Sequence, residues 1–192
     1  MKVSVASVLA QPLLKRNHFD FAEAGVMEVF MQQVLAKVIL PTFIICLIGL
    51  GLSNYFTIAF NTTESLNGVV FLVDKTSQPE RGDIAAFKPP PSSLLTTQQG
   101  YLSTAPFLKK AIGVAFDEVI ITDTDVFVNR ERLGPIFNQT LSGDYLTPTK
   151  SGVVPAKHYF MGTRHESSYD SRYASIGYIH EDRVIGRAFR LY

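Results

Sequence analysis

Cysteine is almost absent from this chain. One residue in 192, Cys46, carries a thiol, and it lies inside an apolar run. A disulfide framework and a cysteine-rich zinc site are excluded. No charge of one sign dominates: 18 Lys and Arg against 17 Asp and Glu leave a net charge of +1. Nothing in that balance points to nucleic acid. HExxH, CxxC and P-loop motifs are missing. The four histidines, His18, His158, His165 and His180, have no metal-ligand spacing. No metal or organic cofactor is expected. Internal repeats and low-complexity tracts are lacking, as is a long amphipathic helix beyond residue 65.

What the chain has is one long charge-free run. No charged residue lies between Lys37 and Glu64, and Val38–Phe60 is almost wholly apolar. About 20 apolar helical residues, rising about 1.5 Å each, span the hydrocarbon core of a bilayer. The leader of 37 residues and the length of the run argue against a cleaved secretory signal, whose apolar stretch is about 7–15 residues. Pro41, Gly49, Gly51 and Asn54 weaken a soluble helix, but lipid-spanning helices tolerate them. The domains are therefore read as a cytoplasmic segment 1–37, an anchor 38–60 and an outer domain 61–192. Lys2, Lys15, Arg16 and Lys37 precede the run, and only Lys75 is basic in the twenty residues after it. The positive-inside rule places the N-terminus in the cytoplasm and residues 61–192 outside. Tyr55 and Phe56 are expected at the outer interface. Residues 1–17 show no periodicity. Phe19–Lys37 has helical spacing, either as an amphipathic surface helix or as an extension of the anchor.

Beyond Ser65 the pattern changes to short β-rich runs: 69–73, 84–87, 111–114, 119–122, 126–129, 158–161, 176–179 and 184–189. Gly, Pro and Asp separate them at spacings near ten residues. This predicts a mainly β fold, an antiparallel domain behind a single N-terminal transmembrane helix. The stretch 88–100, KPPPSSLLTTQQG, is read as a loop.

A serine placed just after a membrane anchor needs a base to act as a nucleophile. No histidine lies in a triad motif; His165 reads as a solvated loop residue. The other solution is lysine, whose free pKa of about 10.4 falls when it is buried among apolar groups. Residues 107–114 read Phe-Leu-Lys-Lys-Ala-Ile-Gly-Val. In a strand, Lys109 and Lys110 point to opposite faces, so one of the two can be desolvated. Ser92, Ser93, Ser142 and Ser171 lack a comparable setting.

Three segments together resemble type I signal peptidases, the membrane-anchored Ser-Lys proteases. They are Asn61-Thr-Thr-Glu-Ser65-Leu66, Phe107 to Asp117, and Val154 to Gly162 followed by Ser168-Tyr-Asp-Ser-Arg172. The Asn-Thr-Thr-x-Ser-Leu sequence, the Pro-rich loop after Ala-Ala-Phe87 and the ending Ile185-Gly-Arg-Ala188 look like the TraF-type, conjugative-transfer branch. The resemblance implies Ser65 as nucleophile and Lys109 as general base, with Lys110 structural. It implies Thr63 as an oxyanion donor beside the Ser65 N–H, Ser168 as the residue orienting the lysine, and Asp170 with Arg172 as a supporting ion pair. It also implies a substrate: an exported precursor, foremost a conjugative pilin, cleaved with or without cyclisation. A bilayer, the transfer machinery and the inner membrane facing the periplasm follow as setting. A general type I signal peptidase and a catalytically silent assembly factor are the alternatives. Phe116 stands where the family has a glycine, so that turn is expected to differ. Thr163 replaces an acid that would partner Lys110, and Asn67 a frequent proline.

Overall fold

The computed structural model describes residues 25–94 and 105–192. The chain divides into two compact units, with the division after Leu52. Among the described residues the first contains one helix, α1, Gly25–Leu52, long and apolar enough to cross a membrane. Its middle, Leu35–Ile39, widens to π-helix, with the Leu40 N–H reaching back to the Leu35 carbonyl. Pro41 supplies the cause: it has no N–H for the ordinary ladder, and a one-turn π segment absorbs the mismatch. The Thr42 hydroxyl donates to the Val38 carbonyl at 2.6 Å.

The helix is displaced from the 38–60 expected for the anchor. It takes in residues 25–37, so that part of the Phe19–Lys37 segment extends α1; residues 1–24 lie outside the described ones. At its other end it stops at Leu52, and Phe56–Phe60 forms strand β1. Ser53 and Asn54 favour a turn, and Phe-Thr-Ile-Ala-Phe is β-branched and aromatic. Absence of charge could not separate the two, because a lipid-facing helix and an apolar strand share it. Phe56 is thus a strand residue.

Among the described residues the second unit holds eleven strands. After β1 come β2 Val70–Asp74, β3 Ile84–Phe87, β4 Phe107–Gly113, β5 Glu118–Ile121, β6 Asp125–Val128, β7 Glu131–Pro135, β8 Gly152–Val153, β9 His158–Gly162, β10 Ile179–His180 and β11 Val184–Arg190. They form a seven-stranded sheet in the order β1-β2-β11-β3-β4-β9-β10 and a four-stranded sheet in the order β7-β6-β5-β8. The strand pairs in both are antiparallel, so the mainly β reading of the sequence holds. β7 and β8 are not legible in advance: β7 contains Gly134 and Pro135, and β8 has two residues. The run at 176–179 shrinks to β10, because Gly177 at φ 60° turns the chain just before it. The loop expected at 88–100 opens with a turn, and its residues from 95 onward lie outside the described ones.

In strands such as β2 and β6 alternation puts one side inside. In β2, Phe71 and Val73 are buried and their neighbours only half so. They pack with Ala59, Leu66, Ala86, Leu108 and Ala188. Ala85, Phe87, Ala111, Met161, Ile176 and Ile179 form a second cluster, and the four-stranded sheet covers a third around Val126, Phe160 and Tyr173. Gly186 sits at the β11 register shift, where a Cβ would lie 1.9 Å from the Asp74 carbonyl oxygen; no side chain fits.

Candidate active site

Strand β4 decides between the two lysines. Ala85 pairs with Lys109 and Ile84 with Lys110. Cross-strand partners share a face, so Lys109 lies on the face of Ala85 and Ala111, and Lys110 on that of Ile84. Lys109 is 6% exposed; Lys110 is exposed. Burial holds the Lys109 ammonium down to a pKa of about 8 from 10.5, with Arg172 adding to the depression and Asp170 opposing it. An amine of that pKa is partly neutral near physiological pH.

Ser65 sits in the loop between β1 and β2, within a short hydrogen-bonded chain. Lys109 Nζ donates to Ser65 Oγ at 2.8 Å and to Ser168 Oγ at 2.9 Å. On its other side Ser65 Oγ lies 2.9 Å from Thr63 Oγ1. Ser168 is buried, so its hydroxyl fixes the ammonium in the arc that reaches Ser65. Behind it the Arg172 Nε–Asp170 Oδ1 ion pair, 2.9 Å long, has no exposed side-chain surface. Arg172 also donates to the carbonyls of Thr163 at 2.6 Å and Pro135 at 3.1 Å, and Asp170 accepts from the Thr163 N–H at 3.3 Å. A buried charge pair costs more than it returns unless such bonds satisfy it. Here it joins β7, β9 and the Ser168–Arg172 segment into one frame behind the lysine.

The structure therefore brings Ser65, Lys109, Thr63 and Ser168 together and sets Asp170 and Arg172 behind them. The other serines stand elsewhere: Ser92 donates to the Ser175 carbonyl, Ser142 to Asp144, and Ser171 accepts from the Met161 N–H. Among the described residues no group of three or more His, Cys, Asp or Glu converges as a metal set. Phe116, where a different turn was expected, sits at φ 73°, the left-handed conformation that glycine adopts without strain. Thr163, in the place of an acid, meets Asp170 and Arg172 through its backbone. Asn61 was not legible as a site residue. It bonds Thr63, Leu66 and Gly68 across the loop, and its only signal is an Asn opening a turn before two threonines.

A groove of about 900 Å³ begins at Ser65. Its lining includes the apolar Ile84, Ile112 and Leu133 and the basic Lys110, Arg164 and Arg190, with His165. A groove of that volume can take a few residues of polypeptide.

Comparison with known proteins bears on the family of the chain. The family model described as signal peptidase, peptidase S26, matches residues 31–192. A probable signal peptidase I-2 of Synechocystis is 31% identical over 112 residues, 58% of this chain and 47% of that protein. The signal peptidase I of Rickettsia typhi is 24% identical over 173 residues, 72% of this chain and 60% of that protein. The chain thus spans about half to three-fifths of the length of these curated relatives. A crystal structure of a signal peptidase I from Enterococcus faecalis V583 is 21% identical, with a TM-score of 0.35 over 58% of this chain and 97% of that one. The match across residues 31–192, far more than half of the chain, makes it a member of the signal peptidase family, peptidase S26.

Proposed function

We propose that this protein is a membrane-anchored serine endopeptidase in which Ser65 is the nucleophile and Lys109 the general base. The observation that carries the reading is the buried Lys109 Nζ, 2.8 Å from Ser65 Oγ. Neutral Lys109 takes the Ser65 proton as Oγ bonds to the scissile carbonyl carbon. The oxyanion is held by the Ser65 N–H and the Thr63 hydroxyl, turned toward it. Collapse breaks the C–N bond, and Lys109 returns the proton to the leaving amine. Water, or an incoming amine, then opens the acyl-enzyme by the same route. Ser168 keeps the lysine aimed, and Asp170 with Arg172 maintains that frame. The substrate lies extended in the groove, with small residues before the scissile bond.

α1 anchors the chain in the inner membrane once, with its N-terminus cytoplasmic and the β domain on the periplasmic side. The substrate is an exported precursor, and the Asn61–Leu66 and Ser168–Arg172 sequences favour a conjugative pilin. A general type I signal peptidase is the second reading, favoured by the relatives, which are described as signal peptidases I. The deciding experiment compares cells carrying wild type, Ser65→Ala or Lys109→Ala, following the pilin precursor and total exported proteins by mass spectrometry. Intact pilin precursor in both variants, with other exports processed, supports the pilin enzyme, and the product mass separates linear from cyclic pilin. Accumulation of many precursors supports the general peptidase. Normal processing of all of them by membrane-inserted variants refutes the catalytic reading.

A further inference from the structure

Asn61 stands four residues before Ser65 and its side chain spans the loop. Nδ2 faces three carbonyl oxygens, of Thr63 at 2.8 Å, Leu66 at 3.0 Å and Gly68 at 3.1 Å. A carbonyl oxygen only accepts, so the amide nitrogen must lie on that side. Oδ1 then faces Thr63, accepting from its N–H at 3.2 Å and from its hydroxyl at 3.0 Å. An amide oxygen also only accepts, so the single Thr63 hydroxyl proton goes to Asn61. The same Thr63 Oγ1 lies 2.9 Å from Ser65 Oγ. With its own proton committed, it can only accept there, and the proton between the two hydroxyls is that of Ser65. Lys109 donates to Ser65 from the other side. The chain has one direction: Lys109 to Ser65 to Thr63 to Asn61.

We propose that Asn61 is a positioning residue that holds the Ser65 hydroxyl proton on Thr63, turned away from Lys109, until substrate enters. The proposal rests on the Ser65–Lys109 reading. For reaction, two protons must turn: that of Ser65 to neutral Lys109, and that of Thr63 from Asn61 to the forming oxyanion. Entry of the substrate carbonyl supplies the acceptor that replaces Asn61. Without substrate, losing a proton from Lys109 and swinging the Ser65 proton onto Nζ would leave two hydroxyl oxygens 2.9 Å apart with no proton between them. Asn61 thereby favours the ammonium form of Lys109. The charged groups facing Lys109 are Asp170 and Arg172; neither is among the hydrogen-bond partners of Asn61, so this influence is separate from theirs.

The test measures kcat and KM of the full chain in lipid vesicles, on a peptide with alanine before the scissile bond, across the neutral-to-alkaline range. Asn61→Ala should move the acid limb of kcat/KM down by about half a unit. Thr63→Val, which leaves the Asn61 bonds to the three carbonyls in place, should move that limb in the same direction. Adding Asn61→Ala to Thr63→Val should move it no further. A limb that stays at the wild-type position in either single variant, or shifts that add in the double variant, overturns the proposal; Thr63→Val alone decides it if Asn61→Ala does not fold. Ser65→Ala and Lys109→Ala run alongside. If they still cleave the peptide, the catalytic reading itself has failed, which is a different result from an unmoved limb.

Discussion

Replacing Lys109 with methionine should abolish cleavage and at the same time stabilise the fold at neutral pH. Burial depresses the lysine from 10.5 to about 8. At about 1.4 kcal/mol per pH unit, holding the protonated lysine in that site costs about 3 kcal/mol. The sign follows from proton counts. Between pH 8 and 10.5 the unfolded chain binds more protons at this group than the folded one, so stability rises with pH across that window. Below it the whole penalty is present; above it none is. Methionine removes the charge with little change of shape. It also removes the hydrogen bonds to Ser65 and Ser168, each worth about 1 kcal/mol. The net gain at neutral pH is therefore about 1–2 kcal/mol, or about 3–6 °C in melting temperature for a domain of this size. Thermal and denaturant unfolding of full-length protein in detergent, at neutral pH and again above the ordinary lysine pKa, would measure it. Lys109→Met should be the more stable protein at neutral pH and lose that advantage in alkali. In wild type, kcat/KM should rise as pH increases through about 8, following the same titration. A Lys109→Met protein less stable than wild type at neutral pH, or an activity profile flat through that region, would refute the argument that desolvation sets the base.

Other perturbations have outcomes readable in single measurements. Phe116→Gly should stabilise the fold by about 0.5–1 kcal/mol in a denaturation midpoint, because a side chain 76% exposed is held at φ 73° for no packing return. Gly186→Ala should cost several kcal/mol, or prevent accumulation of folded protein, since its Cβ would meet the Asp74 carbonyl oxygen at 1.9 Å. Asp170→Asn should destabilise by about 3–5 kcal/mol on a urea curve, because it leaves the fully buried Arg172 without its counter-charge. Ser168→Ala should lower kcat on a short peptide by about tenfold or more with KM nearly unchanged, because the hydroxyl orients Lys109 and lies away from the groove lining.

Much of the β architecture was legible because period-two alternation is a local property. Residues 84–87 coincide with β3, and five further runs differ from their strands by only a residue or so at an end. Where reading failed, the local signal was shared or absent. Phe56–Phe60 is as apolar as the helix before it, and only its pairing with β2 makes it a strand. β7 carries Gly134 and Pro135, and a two-residue turn, Asn129-Arg130, with both residues in the left-handed region, returns the chain to make it. Phe116 shows the converse: the fold imposes a glycine-like conformation on a residue that disfavours it.

The site divides along the same line. The sequence by itself determined that a serine follows an apolar span, that a lysine pair lies in a β-rich run, and that no cysteine, metal motif or triad competes; residue identity and spacing are enough for that. It also determined that the two lysines face opposite ways, because strand geometry does so for any neighbours. Which lysine is buried was decided only by the tertiary structure, through the register that sets Lys109 against Ala85 and the Asp170–Arg172 pair behind it. Tertiary structure alone also closed the 44-residue separation between Ser65 and Lys109 to 2.8 Å and aimed Asn61 at three carbonyls. Desolvation and hydrogen-bond direction depend on neighbours brought from distant parts of the chain, and no local pattern encodes them.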